Sequence, residues 1–291
     1  MMLKTKKNKL RLLGLCILLL LPFTGCGTDE NEGSAAKSRP ITVISREEGS
    51  GTRSAFVELF GIQDEESTDL TTPYSEITNN TAVMMASVSG DKNAIGYISL
   101  GSVNDTVKTV RIDGVEANAE TVKDGRYRIS RPFILATKEE TSAAAQDFIR
   151  FILSRDGQDV IEAGGWVRTV DSGSYAGGGQ SGKVVAAGSS SVAPVMEALR
   201  EAYLLAQDGV EVEIQQSDSS TGINAVADGI CDIGMSSRTL KASENEKRLR
   251  GHIISIDGIT IIVNNANEVT DLTADQVKSI FTGAAADWTA L

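Results

Sequence analysis

Residues 41–61 read Ile41-Thr42-Val43-Ile44-Ser45-Arg46-Glu47-Glu48-Gly49-Ser50-Gly51-Thr52-Arg53-Ser54-Ala55-Phe56-Val57-Glu58-Leu59-Phe60-Gly61. An apolar, β-branched run (41–45) is followed by a glycine-rich polar loop and then by an apolar segment at helical spacing, so the order is strand, loop, helix. The order recurs further along. Val184 to Ala187 reads as a strand, Gly188-Ser189-Ser190-Ser191 as a loop, and Pro194 to Ala206 as a helix with Val195, Leu199, Tyr203 and Leu204 on its apolar side. Val210 to Gln215 alternates as a strand before the small-polar loop Ser217-Asp218-Ser219-Ser220-Thr221-Gly222 and a helix over 223–227. A strand over 231–235 leads into Ser236-Ser237-Arg238. Repeated strand-loop-helix units predict an α/β fold with largely parallel sheets.

Between these units the pattern predicts a helix carrying Val83, Met84 and Val88, and strands over 94–99, 107–112 and 128–136. A helical pattern runs from Ser142 to Ile161 with Gly157 interrupting it, and two separate strands cover 253–256 and 259–263. An amphipathic helix spans 273–281. Residues 171–182, from Asp171-Ser172-Gly173 to Gln180-Ser181-Gly182, are a linker by composition.

The amino-terminal 25 residues have the pattern of an export signal. Lys4, Lys6, Lys7, Lys9 and Arg11 precede an apolar run from Leu12 to Phe23, and Thr24-Gly25-Cys26 completes a lipobox. Acylation of Cys26 would hold the chain at a membrane, because the run is short for a permanent spanning helix. The acidic, polar stretch 26–39 reads as a flexible tether. The body beyond it is long enough for two lobes.

The whole chain carries 28 Lys and Arg against 39 Asp and Glu, a net charge of −11. Loss of a signal with five basic and no acidic residues leaves 23 against 39, or −16, which excludes nucleic acid as a natural partner. Any anion site must then work through local, directional hydrogen bonds. Of three cysteines only Cys231 lies in the body, where it reads as a buried small hydrophobe, and a lone His252 gives no support to zinc or histidine acid–base chemistry. No metal and no cofactor are expected.

Three loops share one design, with small hydroxyl residues and glycines directly before a helix, where backbone N–H groups lack partners and the dipole is positive. That arrangement suits a tetrahedral oxyanion, although Ser, Thr and Gly before a single helix are ordinary caps. Arg46 is the natural charge partner, since a guanidinium donates two parallel hydrogen bonds to an oxyanion edge, and Glu48 is placed to hold that fork. The plainer alternative is a surface Arg–Glu pair contributing under about 1 kcal/mol. No Gly-Lys-Ser/Thr follows the glycines, which excludes a Walker-type nucleotide site.

At this point the chain resembles the phosphate-binding proteins of ABC transporters. Arg46-Glu47-Glu48-Gly49-Ser50-Gly51-Thr52 is similar to their second-lobe signature, and Ala187-Gly188-Ser189-Ser190-Ser191-Val192-Ala193-Pro194 to their first-lobe opening loop. Segments 218–222 and 232–238 resemble the next two ligand segments. The resemblance implies a two-lobe, periplasmic-binding-protein-like α/β fold with the ligand cleft between the lobes. It further implies inorganic phosphate as ligand, the membrane subunits of an ABC permease as partners, and an extracytoplasmic, lipid-anchored place on a Gram-positive-like cell surface. The carried-over ligand residues are Ser190, Ser191, Ser219, Ser237, Arg46, Ser50, Gly51 and Thr52, with Glu48, Ser189, Ser220 and Arg238 in support.

Two departures stand out. Some members have an aspartate where Ser237 stands; an aspartate accepts the proton of hydrogen phosphate, whereas a serine hydroxyl also donates, so rejection of sulfate is less assured. The segment order is also rotated: residues 40–170 precede 183–291, as in a circular permutant whose Gly/Ser linker joins the old ends. The implied division puts lobe one at 131–170 and 183–258, and lobe two at 40–130 and 259–291. A truncated tandem or gene-model error, with halves pairing between molecules, is the alternative to permutation. Rival functions are a receptor for sulfate, molybdate or tungstate, a secreted serine phosphatase, and an adhesion or sensor module without ligand.

Overall fold

The computed structural model describes residues 38–291. The expected signal (1–25), Cys26 and the tether up to Lys37 lie outside the described residues. Ser38 Oγ donates to Asp287 Oδ2 at 2.5 Å, and Arg39 N donates to the same oxygen at 2.8 Å. The last two residues assigned to the tether are therefore docked on the body.

In chain order the strands and helices are β1 (Thr42–Arg46), α1 (Gly51–Leu59), β2 (Glu76–Thr78), α2 (Thr81–Gly90), β3 (Ala94–Ser99), β4 (Val107–Ile112), α3 (Ala119–Lys123) and β5 (Ser130–Lys138). There follow α4 (Ala143–Leu153), α5 (Arg155–Ala163), β6 (Val167–Arg168), β7 (Gly182–Ser189), α6 (Ala193–Ala206), β8 (Val210–Ser217) and α7 (Ser219–Asp228). The last elements are β9 (Ile233–Ser236), α8 (Ala242–Asn245), β10 (Leu249–Asn264), β11 (Asp271–Leu272) and α9 (Ala274–Phe281).

The two strands expected over 253–256 and 259–263 are one 16-residue strand, β10, and this fusion organises the molecule. Its residues 249–258 pair antiparallel with β5, and from Ile259 onward it pairs antiparallel with β3 and β4. Asp257-Gly258 does not break the strand, because the backbone at 257–258 is paired with Arg131 and Ser130 on β5. The sheet is consequently mixed rather than largely parallel. β7 runs parallel to β8 and β9, and β1 parallel to β2 and β3, but β10 and β5 enter antiparallel.

Two apolar cores lie along this sheet. One gathers Phe133, Phe148, Phe151, Met196, Leu199, Tyr203, Ile233 and Ile254. The other gathers Phe56, Phe60, Tyr97, Val110, Ile259, Ile261 and Phe281. The fold is thus a two-lobe α/β architecture in which β10 belongs to both cores.

Local chemistry corrects three sequence expectations. The helical pattern 142–161 breaks at Ser154, not Gly157: Ser154 Oγ donates back to Phe151 O at 2.6 Å and accepts from Gly157 N at 3.3 Å, capping α5 and leaving Gly157 inside that helix's first turn. Helix α7 starts at Ser219 rather than Ile223, because Asp218 caps it by accepting from Thr221 N at 2.9 Å. Cys231 lies two residues before β9 and is buried beside Ile223 and Val226. The 171–182 segment contains no helix, yet it is pinned: Tyr175 Oη donates to Asp147 Oδ2 at 2.6 Å and its ring stands edge-on to Phe151.

Candidate functional site

The end of β1 delivers Arg46 to the line where the lobes meet, and the residue is 2% exposed. Tyr97 on β3 fixes the backbone there: Arg46 N donates to Tyr97 Oη at 3.2 Å, and that oxygen pairs with Ser45 Oγ at 2.8 Å. Burial pushes the phenol up to about 12, against the opposing pull of the Ser45 hydrogen bond, so it remains a neutral hydroxyl.

The guanidinium is forked by Glu47, with Nε to Oε2 at 2.8 Å and Nη2 to Oε1 at 2.7 Å. Nη2 also donates to Ser190 Oγ of the opposite lobe at 3.2 Å, whereas Nη1 is buried with no partner among the described residues. Glu48, expected to hold the fork, does not. Ser50 N donates back to Glu47 O at 3.1 Å, and the resulting turn carries Glu48 out to solvent while Glu47 stays over the guanidinium.

Helix α1 begins directly after this turn, with Ser50 as its cap accepting from Arg53 N at 3.3 Å. Gly51 and Thr52 form its first turn, both buried. A Cβ on Gly51 would lie 2.4 Å from Ser219 Oγ, and one on Gly49 would lie 2.3 Å from Asp218 Oδ1. Glycine is needed at both places because the other lobe approaches the bare backbone.

That other lobe contributes the serines. Thr52 Oγ1 and Ser191 Oγ are 2.8 Å apart across the line of contact. Ser189 Oγ accepts from Ser191 N at 3.3 Å and donates to Ser237 Oγ at 2.9 Å. Ser237 N donates to Ser219 Oγ at 3.1 Å, and the two hydroxyls are 3.3 Å apart. Ser220 N donates to Gly49 O at 3.3 Å, a backbone bond between the lobes. Arg46, Ser50, Gly51, Thr52, Ser190, Ser191, Ser219 and Ser237 thus gather in one buried polar cluster.

Arg238 is not part of its charge. Its Nη1 and Nη2 donate to Glu244 at 2.8 and 2.7 Å, and to Thr239 O and Ser220 Oγ at 2.9 and 3.1 Å. Burial acts to raise the Glu244 carboxyl, but the Arg238 fork and the Lys241 N–H outweigh it and hold the group below its ordinary value. Arg53 likewise turns away, donating to Asp69 Oδ2 and to Arg46 O, each at 2.7 Å.

Sequence reasoning missed Glu47, Tyr97 and Thr81. Thr81 opens α2 beside Ser190 and Ser191 and is buried. Its signal was present, since Asn79-Asn80-Thr81 before Val83 and Met84 repeats the small-polar-before-helix pattern of the other loops.

The amino ends of four helices, α1, α2, α6 and α7, therefore meet at this cluster, each bringing N–H groups that its own turn cannot satisfy. The arrangement is built to surround a small oxyanion with donors. No histidine joins it: His252 sits on β10 with Nε2 3.2 Å from Thr137 Oγ1. Among the described residues, no group of three His, Cys, Asp or Glu side chains is placed to hold a metal.

Residues 28–156 and 173–290 match the PBP superfamily domain model. The chain is 48% identical over 274 residues, 92% of each chain, to "Phosphate-binding protein PstS 2" of Streptococcus agalactiae serotype V. It belongs to the phosphate-binding protein family of ABC transporters. A second member of that family, "Phosphate-binding protein PstS 2" of Streptococcus pneumoniae serotype 4, is 39% identical over 270 residues, covering 91% of this chain and 92% of its own. The crystal structure of a phosphate ABC transporter, phosphate-binding protein from Streptococcus pneumoniae TIGR4 superposes with a TM-score of 0.68 at 40% identity, over 86% of this chain and 99% of that one. The family member "Phosphate-binding protein PstS" of Bacillus subtilis matches at 30% identity over 110 residues only, 37% of each chain.

Proposed function

We propose that this chain is an extracytoplasmic solute-binding protein that captures inorganic phosphate between its lobes and presents it to the membrane subunits of an ABC importer. The observation that carries the reading is Arg46: a guanidinium 98% buried, with Nη1 unpartnered, among serine and threonine hydroxyls and helix amino ends from both lobes. Arg131 and Arg238 are also buried beside a single carboxylate with a nitrogen left over; what sets Arg46 apart is its place among hydroxyls and helix amino ends from both lobes, a setting that suits an anion. The proposed ligands are Arg46, Ser50, Gly51, Thr52, Ser190, Ser191, Ser219 and Ser237. Ser189, Ser220 and Glu47 hold them in place, and Arg238 braces the Ser220 hydroxyl. The role is binding: the serines pair with one another, with Arg46 and with Thr52, and the relatives at 48% and 39% identity are named phosphate-binding proteins. Calorimetry with phosphate, sulfate and molybdate tests it. Phosphate should bind more tightly than either competitor, with the narrowest margin over sulfate because Ser237 replaces an aspartate found in some members, and failure to bind phosphate, or tighter binding of sulfate, overturns it.

Within the same reading the lobes comprise 131–170 with 183–258, and 40–130 with 259–291, in circularly permuted order. Ile41 N donates to Ala286 O and Trp288 N to Arg39 O, each at 2.9 Å, so the two ends of the folded body lie side by side, as a permuted connecting loop requires. The short colinear match to the Bacillus subtilis protein is also what a rotated segment order produces. The chain should run as a compact monomer in light scattering; an obligate dimer would refute the intramolecular arrangement. Cys26 carries the lipid anchor in this reading, so Cys26→Ser should release the protein into the medium, and unchanged membrane retention would rule the anchor out.

A further inference from the structure

Donors from the second lobe converge on a single oxygen of the first. Ser190 Oγ lies 3.2 Å from Arg46 Nη2, 3.3 Å from the Thr81 backbone N and 3.4 Å from Thr81 Oγ1. A hydroxyl oxygen offers two lone pairs, so the two N–H groups already use its acceptor capacity. Thr81 Oγ1 is in turn 3.3 Å from Ser191 Oγ. A guanidinium N–H and a helix-end N–H directed at one oxygen, with the Thr81 hydroxyl beside it, is the environment of an oxyanion rather than of a neutral alcohol. The second, independent observation is the buried Arg46 Nη1, which has donors to spare and no acceptor among the described residues.

From this we infer that Thr81 is itself an anion-binding residue: its backbone N–H and its hydroxyl donate to the phosphate oxygen that Arg46 also holds, and α2 is the fourth helix whose amino end serves the ligand. The inference rests on the phosphate reading above. Asn80 keeps the backbone N–H of Thr81 available, because Asn80 Oδ1 caps α2 through Val83 N at 2.8 Å and leaves Thr81 N free to point across to the other lobe. Thr81 is 5% exposed, so its hydroxyl is not there for solvent. When phosphate enters, Ser190 Oγ and an anion oxygen share the same donors, and Ser190 can turn its own hydrogen toward the ligand.

The test compares the mature wild type, Thr81→Ser and Thr81→Val by phosphate calorimetry, with the Thr81 amide followed by nitrogen-15 NMR. The serine variant should bind within about threefold of wild type, and the valine variant should lose about tenfold, the scale of one hydrogen bond to a charged group. The Thr81 amide proton should move downfield on phosphate addition. In a Ser190→Ala background Thr81→Val should still cost several-fold, which a residue acting only by placing Ser190 would not do. Native affinity in Thr81→Val, a stationary Thr81 amide, or loss of the valine effect in the Ser190→Ala background each overturns the assignment. Should the valine variant not fold, the wild-type amide shift decides. Absence of phosphate binding in all the proteins, wild type included, refutes the functional reading itself, whereas binding in wild type with an inert Thr81 refutes only this residue's role.

Discussion

Two buried arginines in this molecule wear the same fork and do different things. Arg46 and Arg238 are 2% and 6% exposed, each lies beside a small-hydroxyl loop, and each is clasped by a glutamate through two short hydrogen bonds. The difference lies in what is left over. Both terminal nitrogens of Arg238 are consumed by Glu244, Thr239 O and Ser220, and only its inner Nε is left without a partner among the described residues, so the group is a strut. Arg46 keeps Nη1 uncommitted and reaches Ser190 across the line between the lobes. An unpartnered nitrogen alone does not make a binding group, since Arg238 Nε and Arg131 Nε and Nη1 lack partners among the described residues too; Arg46 differs because its free terminal nitrogen belongs to the cluster of hydroxyls and helix amino ends where the lobes meet.

The largest expected effect separates the two at once. Arg238→Ala leaves Glu244 buried without its counter-charge and should cost about 3–5 kcal/mol of stability, read from urea unfolding, while the folded protein keeps phosphate affinity within a few-fold. Arg46→Ala should instead weaken phosphate binding by about 2–5 kcal/mol in calorimetry. Arg53→Ala should cost far less, because its side chain already faces Asp69. If Arg238→Ala cost the greater share of affinity, the distinction between strut and ligand would collapse.

A smaller effect sharpens the contrast at the glutamates. Glu47→Ala removes the clasp on a buried cation and should lower ligand-free stability by about 1.5–3 kcal/mol, while phosphate should then raise the melting temperature more than it does in wild type. Glu48→Ala, at an exposed turn, should stay within about 0.5 kcal/mol. Equal effects of the two substitutions would return the fork to Glu48.

The smallest effect is a pH slope, and it brings in a third buried arginine. Arg131 Nη2 donates to Asp257 Oδ2 at 3.2 Å, where β10 passes from one lobe to the other, and Ser99 Oγ donates to Asp257 Oδ1 at 2.8 Å. Burial pushes the Asp257 carboxyl up to about 6 despite Arg131, whereas Glu244 is held below its ordinary value. A raised carboxyl binds a proton in the folded state before the unfolded one does, so its contribution to stability falls as pH rises from about 4 to about 6. A depressed carboxyl contributes stability above its ordinary value, and that contribution is lost as pH falls through it. Removing each slope in turn, Asp257→Asn should abolish a fall of stability with rising pH between about 4 and 6, whereas Glu244→Gln should abolish a loss of stability with falling pH that lies below about 4.5. Changes of the same sign would show that these two pairs do not differ.

Much of this was legible before any coordinates. The repeated strand-loop-helix order carries the α/β class, because apolar periodicity and glycine-rich punctuation are local consequences of backbone geometry. The anion-site loops were legible for the same reason: a helix amino end advertises itself by small polar residues, and Arg46, Ser190 and Ser219 lead into such ends, whereas Ser237 follows β9 with no helix until Ala242. Thr81 carried the same signal more faintly and was passed over.

What the sequence by itself determined, then, is the main alternation of strands and helices and which loops are rich in donors, since each depends on neighbours a few residues away. Tertiary structure alone decided that 253–256 and 259–263 are one strand shared by two cores, because Asp257-Gly258 is held extended by pairing with Ser130 and Arg131, residues more than a hundred positions earlier. It alone decided that Glu47 rather than Glu48 clasps Arg46, that Arg238 is spent on Glu244, and that Thr81 meets Ser190. Those are choices among nearly equivalent side chains, settled by which of them a distant part of the chain leaves without a partner.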